Sequence, residues 1–381
     1  MIANTKAFEL LSPGAVRDML RSPGPCITIT LPPYRPGEPG GSPAMLLKAY
    51  IQEAATELRA SGYPKWSALT QPLQEFAEDP ALSAGSHCGR AIFCSPSDFE
   101  QFYLTTNVAP SLCMGGSFSI RKFGAELARP QSFYVLSLSK TRVSLLRCTG
   151  LEAEAANLPP GVPGTLAEAL ALEQPDHDLE SRSAAGVSTG AMHMVRFGTS
   201  SEREHRKIHL ADYYKIVDRG IQQILREPDA PLILAGVEED TVIYRAVNTY
   251  GGLTKGSIAG SPDVPRDEAE ILRKAYSILH RERIEHQHAV LLAAKEQSAP
   301  SRISTTLDTL LRSAFEGRVG QLYVNEEATR VEEFKCGTYR SWNKEDLLNL
   351  AAVQTIVHRG KFCELPAEMM QGEDIVGVMR F

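Results

Sequence analysis

Several groups of residues have types and spacings that could do chemistry. Gly186-Val187-Ser188-Thr189-Gly190 matches G-x-S-x-G, a turn that presents a serine nucleophile when a buried strand enters it and a helix leaves it. D-H-D-L-E-S-R-S-A-A precedes it and is no such strand, so the match points away from a serine hydrolase. His205 and His209 stand four apart, a spacing that puts two metal ligands on one helix face. Arg206 occupies the place where a zincin carries glutamate, and Arg206 and Lys207 would repel a dication. His286-Gln287-His288 could chelate if extended, but it lies in a run that reads as helix, where i and i+2 diverge. No metal and no cofactor is expected. Tyr250-Gly251-Gly252-Leu253-Thr254-Lys255-Gly256-Ser257 has its lysine before the last glycine, which breaks the phosphate-loop spacing and leaves a turn as the better reading.

The segment T-G-A-M-H-M-V-R-F-G-T-S-S-E-R-E-H-R-K-I-H-L-A-D-Y-Y-K, residues 189–215, concentrates potential anion-binding groups. It begins as a glycine-punctuated loop and passes into an amphipathic helix. Residues 181–226 hold eight Lys or Arg against four carboxylates, a local charge of +4, whereas 151–180 hold seven carboxylates and no Lys or Arg. Cations at a helix start oppose the macrodipole by less than about 1 kcal/mol each, and an outside phosphate would satisfy both the cations and the free N–H groups. An acidic loop beside an ordinary solvated basic helix is the plainer alternative.

The whole chain bounds these options. Its 381 residues suit two or three domains, and its 43% hydrophobic and 23% charged residues are those of a soluble globular protein. No apolar run is long enough to span a bilayer, and M-I-A-N-T-K-A-F-E-L-L lacks the pattern of a signal peptide. Seven scattered cysteines with no C-x-x-C argue against a disulfide framework or zinc ribbon and for a reducing cytoplasm. A net charge of −6 excludes a generally basic nucleic-acid binder, but not a local basic surface.

The elements that must position these residues fall into three α/β units, expected at 1–128, 129–282 and 283–381. In the first, C-I-T-I-T-L (26–31) reads as a strand stopped by Pro32-Pro33. Helices follow from Pro43 and near 66–78, then a strand pair at 90–95 and 99–105. The second opens with a hairpin, 133–138 and 142–147, and a third strand at 151–158. A helix from about Glu204, a buried strand at 231–236, a short helix, the 250–257 loop and a long helix from about Pro265 complete it. The order β-β-β-α-β-α is that of a ribonuclease-H-like mixed sheet. A nuclease of that type would need carboxylates on the first strand to hold Mg²⁺, and the 132–147 hairpin has none. The third unit reads as a small α/β/α layer: a helix at 303–317 with a Thr305…Asp308 cap and a Gly317 stop, a strand at 321–325, a helix ended by Gly360, and strands at 361–365 and 375–381.

Three ordered stretches carry a family resemblance. F-S-I-R-K-F-G-A-E-L-A-R-P-Q-S-F-Y-V-L-S-L-S-K-T-R-V-S-L-L-R (118–147), L-I-L-A-G with N-T-Y-G-G (232–236, 248–252), and T-L-D-T-L-L-R-S-A-F-E-G-R-V-G-Q-L-Y-V-N-E (306–326) are similar to the bacterial branch of the archaeo-eukaryotic class-1 peptide-chain release factor and Pelota superfamily. The resemblance implies a tRNA-like three-domain protein whose third domain is like ribosomal protein L7Ae. In that family a Gly-Gly-Gln loop, shortly before an Arg-Phe pair, enters the peptidyl-transferase centre, and its glutamine positions water. Counting back from Arg196-Phe197 gives Gly190, Ala191 and Met192 here. Met192 cannot donate a hydrogen bond, and Ala191 loses a glycine's backbone freedom. The resemblance therefore implies a cytoplasmic ribosome-associated factor that binds the A site in rescue, stress or hibernation, without peptidyl-tRNA hydrolysis. Its partners would be ribosomal RNA and a translational GTPase, with no membrane. The candidate RNA contacts are Gly190, Met192, His193, Arg196, Arg203, Arg206, Lys207 and His209. Two alternatives stay open: a hydrolase acting on an RNA- or nucleotide-linked substrate through the 186–209 loop, using His193, Ser188 or the His205/His209 pair, and a protein-interaction module built on the third domain.

Overall fold

Three sheets of four or five strands organise the chain. The computed structural model describes residues 10–20, 24–34, 42–83, 88–106, 108–173, 199–225, 230–260, 267–297, 299–336, 339–340 and 345–380. These residues form two compact units, one from Met1–Arg129 with His280–Phe381 and one from Pro130–Leu279.

The first unit begins with helix α1 (Pro13–Met19), capped by the Ser12 hydroxyl, which accepts from the Ala15 amide at 3.3 Å. Strand β1 (Cys26–Leu31) is buried along its whole length. Helix α2 (Pro43–Ala60) starts on a proline and buries Leu47, Ile51, Ala54 and Leu58. Helices α3 (Trp66–Ala77) and α4 (Pro80–Ser83) follow, then strands β2 (Gly89–Cys94), β3 (Phe99–Leu104) and β4 (Ser111–Gly115) and the one-turn helix α5 (Gly124–Leu127). The antiparallel sheet runs β3-β2-β1-β4. One face packs on α2 and α3 through Ile27, Ile29, Leu31 and Ile92. The other, with Phe93 and Phe102, enters a cluster shared with residues 310–379.

The second unit is a five-stranded sheet of β5 (Ser132–Leu138), β6 (Val143–Thr149), β7 (Glu152–Ala156), β8 (Leu232–Gly236) and β9 (Leu253–Ala259), in the order β7-β6-β5-β8-β9. β5, β6 and β7 are antiparallel neighbours, and β5, β8 and β9 are parallel, which is the ribonuclease-H-like arrangement expected from the element order. Tyr134, Leu136 and Leu138 face α6 (Leu166–Glu173), α7 (Thr199–Ile221) and α8 (Glu238–Val247), while Phe133 and Val135 face the first turns of α9 (Glu268–Gln297). The 250–257 segment is not a loop throughout: Leu253 begins β9. Pairing with buried β8 holds L-T-K-G-S-I-A extended although it is mostly polar.

The C-terminal part of the first unit has strands β10 (Ile303–Ser304), β11 (Val319–Asn325), the two-residue strands β12 (Val331–Glu332), β13 (Lys335–Cys336), β14 (Tyr339–Arg340) and β15 (Glu345–Asp346), then β16 (Lys361–Leu365) and β17 (Ile375–Met379). Its main sheet runs β10-β17-β11-β16. Leu322 and Val324 face α10 (Leu307–Phe315) and α11 (Leu347–Val357), and Tyr323 faces the later turns of α9, so this is an α/β/α layer. Gly317, at φ +71°, stops α10 as expected. The expected Thr305…Asp308 cap does not form: Thr306 is the N-cap and makes no side-chain bond.

A buried ionic cluster ties residues 118–129 to this layer. Arg121, 7 % exposed, bonds Asp346 at 2.7 Å and Glu364 at 3.0 Å. Burial pushes the Glu364 carboxyl up to about 7, against the pull of Arg121. The folded chain thus holds that proton more tightly than the unfolded chain does. The stability it contributes is full below the ordinary carboxylate range and lost as pH rises through about 7. Urea unfolding of wild type and Glu364→Gln at pH 5 and pH 8 should show the wild type losing on the order of 2–3 kcal/mol relative to the variant. An identical pH dependence would contradict this assignment.

Candidate nucleic-acid interface

Helix α7 carries the basic stretch, and its packing divides it. From Leu210 onward the buried face follows the helical period through Tyr213, Tyr214, Val217 and Ile221, each at most 1 % exposed. Lys207, Ile208 and His209 are all exposed, Ile208 at 54 %. At about 100° per residue, Ile208 lies opposite the stripe formed by Leu210, Tyr213, Tyr214 and Val217, and Lys207 and His209 lie at its flanks, so the three form solvent-facing surface. Lys207 makes no ion pair among the described residues, whereas Lys215 is paired with Asp212 at 2.8 Å.

Gly190, Met192, His193 and Arg196 lie outside the described residues, as does Ser188. The backbone of Arg203 and Arg206 belongs to α7, but their side chains also lie outside the described set, with that of His205. Of the eight candidate contacts, Lys207 and His209 are thus the two whose exposure is defined. Among the described residues no group of three His, Cys, Asp or Glu is placed to hold a metal.

The buried half of α7 is pinned by a residue that sequence reasoning counted only as surface charge. Asp218 is 1 % exposed and accepts from Tyr244 Oη at 3.0 Å, the Thr249 amide at 3.1 Å, Thr249 Oγ1 at 2.6 Å and Gln222 Nε2 at 2.8 Å. Burial and the neighbouring Asp218 carboxylate raise the Tyr244 phenol well above its ordinary range. Tyr214 is raised in the same direction by burial and then by Asp240. The only sequence signal was the i, i+4 spacing of Asp218 and Gln222.

A close approach fixes the loop that leads toward the 174–198 segment. A Cβ on Gly220 would meet Val162 Cγ2 at 2.1 Å, so the 159–164 loop lies directly on α7 where a glycine leaves room. The same loop extends the sheet edge, with the Val143 amide donating to the Gly164 carbonyl at 2.8 Å.

The ends of β5 and β8, where this sheet type places metal-binding carboxylates, have a different donor set. β5 has none, and Lys140 just beyond it reaches Glu239 at 3.3 Å. An ammonium standing in that place opposes a divalent cation. Burial pushes the Cys94 and Cys148 thiols up to about 12, so neither is a nucleophile at neutral pH.

Two stability measurements follow from this packing. Asp218→Ala strands four donors and should cost about 3–5 kcal/mol in urea unfolding, while Asp218→Asn, which keeps an acceptor, costs less. Gly220→Ala should lower stability by about 1–3 kcal/mol, although alanine is the better helix former by about 1 kcal/mol. A stabilised Gly220→Ala protein would show that the loop does not rest on α7.

Residues 132–318 match the model of the bacterial archaeo-eukaryotic release factor family 3. No curated protein matches the chain. Among solved structures, an archaeal translation termination factor, aRF1, is 13% identical with a TM-score of 0.22, covering 98% of this chain and 99% of that chain. Archaeoglobus fulgidus Pelota is 11% identical with a TM-score of 0.34, covering 77% of this chain and 79% of that one. S. cerevisiae Dom34, a translation termination-like factor, is 8% identical with a TM-score of 0.33, covering 77% and 81%. The family match contains the whole pinned helix α7 and the segment before it. Through residues 132–318 the chain is similar to the bacterial archaeo-eukaryotic release factor family 3, in agreement with the release factor and Pelota superfamily resemblance read from its sequence.

Proposed function

We propose that this translation-related factor binds the ribosomal A site, in rescue, stress or hibernation, without hydrolysing peptidyl-tRNA. The observation that carries the reading is the exposed Lys207–His209 stretch of α7, shortly after the family's loop segment in sequence. An exposed lysine without a carboxylate partner is available to phosphate, and Arg203 and Arg206 extend the same run in sequence. Gly190-Ala191-Met192 stands where the family places Gly-Gly-Gln, and a thioether supplies no amide donor to hold an attacking water. A cytoplasmic location and a translational GTPase partner belong to this reading. No described helix is long and apolar enough to cross a membrane.

Co-sedimentation with bacterial ribosomes across a salt series tests it, with Arg203→Ala/Arg206→Ala/Lys207→Ala alongside. Binding should weaken steeply with salt and fall at least tenfold in the triple variant, with no release of peptide from a peptidyl-tRNA complex. Absence of binding at low salt, with candidate translational GTPases supplied, would overturn the reading. Hydrolysis abolished by His193→Ala would replace it with the hydrolase alternative.

A further inference from the structure

One end of the C-terminal sheet has a cation on every strand. In sheet order these are Arg302 just before β10, Arg380 just after β17, Arg318 just before β11 and Lys361 at the start of β16. All four are exposed. Strand directions bring them to the same end, because β17 runs antiparallel to β10 and β11, and β16 runs parallel to β11. Contacts confirm the gathering: Arg380 N donates to the Arg318 carbonyl at 2.9 Å, and Arg302 Nη2 donates to the Arg380 carbonyl at 3.3 Å. At strand spacings of about 4.8 Å the row spans about 14 Å.

The C-terminal ends of α10 and α11 also lie here, and helix ends favour cations. That accounts for Arg17, whose Nε meets the Ile356 carbonyl at 3.4 Å, and for Arg380, whose Nη2 donates to the His358 carbonyl at 2.7 Å. It does not account for the whole row. Arg318 has Glu316 at 3.2 Å, the one carboxylate paired with these cations among the described residues. Lys361 and neighbouring Arg359 are exposed, and their side chains have neither an ion pair nor a hydrogen bond among the described residues. Arg359 also holds a left-handed backbone, φ 61°, which a glycine would adopt without strain. Mutually repelling cations, one of them on strained backbone, are what a surface carries when an external anion completes it.

We propose that this end of the sheet binds the phosphate backbone of duplex RNA. Arg302, Arg380 and Arg318 meet at the sheet end and Lys361 lies further along, in register with Gln321, so the charge extends over a surface and fits the repeated phosphates of a polyanion. Among the described residues no aromatic side chain stands in the row, so the row offers no stacking platform for single-stranded bases. The surface belongs to the other compact unit from α7, and the inference does not rest on the A-site reading.

The test is fluorescence anisotropy of the full-length chain with a labelled duplex RNA, across a salt series. Wild type should bind with a strong salt dependence. Arg318→Ala/Lys361→Ala should bind at least tenfold more weakly at low salt, with the slope of log K against log salt shallower by about one for each cation removed. Arg318→Lys/Lys361→Arg should retain binding. Arg359→Gly should raise Tm while weakening binding, which separates lost contact from lost folding. The Arg203/Arg206/Lys207 variant serves as the background in which the same losses must persist, so failure at α7 and failure here remain distinguishable. No wild-type binding, variants that match wild type, or displacement by polyglutamate as readily as by unlabelled RNA would each overturn the proposal, the last in favour of an acidic protein.

Discussion

Arg121 takes a charge into a site only 7 % exposed, where an unpaired guanidinium would be strongly destabilising. Guanidinium has five N–H donors, and four of them make hydrogen bonds here. Nε and Nη2 both reach Glu364 Oε1, at 3.2 and 3.0 Å, and Nη2 also reaches the Asn325 carbonyl at 2.8 Å. Nη1 holds Asp346 at 2.7 Å and the Ala328 carbonyl at 2.9 Å. Those acceptors come from the end of β11, the turn after it, the N-cap of α11 and β16. One side chain therefore fixes four places in the layer. Around it, Asn349 takes the Ile120 amide at 2.8 Å and gives to the Phe118 carbonyl at 2.9 Å, while buried Glu126 accepts from Thr105 and Thr106. Phe93 packs edge-on against Phe102, Phe118 and Phe123 in the same cluster. The apolar contacts supply most of the free energy, and the charge sets the register in which they are made.

The middle unit solves a related problem with the opposite sign. Asp218 is a buried carboxylate satisfied by neutral donors from α8's Tyr244, from Thr249 and from its own helix. These donors meet Asp218 near the C-terminal end of α7 and fix that end against α8 and the segment after it.

The hairpin of β5 and β6 was legible because two short, largely apolar stretches, 133–138 and 142–147, flank a polar turn, and the order of elements then pointed to the mixed sheet. Strand β9 was hidden: its alternation is weak, and only pairing with β8 makes it extended. Arg121 was invisible for a different reason. In F-S-I-R-K-F-G it is an ordinary loop cation, and the side chains it binds lie 225 and 243 residues away. Segments 1–128 and 283–381 each carry their own sheet, yet no local signal announced that they would share a core. At α7 the apolar period from Leu210 to Ile221 did foretell the buried face. Asp218 misled, because counting it against the basic residues treated a buried acceptor as part of the surface field.

What the described residues can do chemically is narrower than the motifs suggest. Buried thiols and phenols are shifted upward, away from neutral-pH nucleophiles and bases, and a lysine–glutamate pair stands where a ribonuclease-H-type site would need carboxylates alone. Recognition by exposed cations is the chemistry that remains. Lys207, beside exposed His209, supplies such a group on α7, and Arg302, Arg318, Lys361 and Arg380 supply them on the C-terminal sheet.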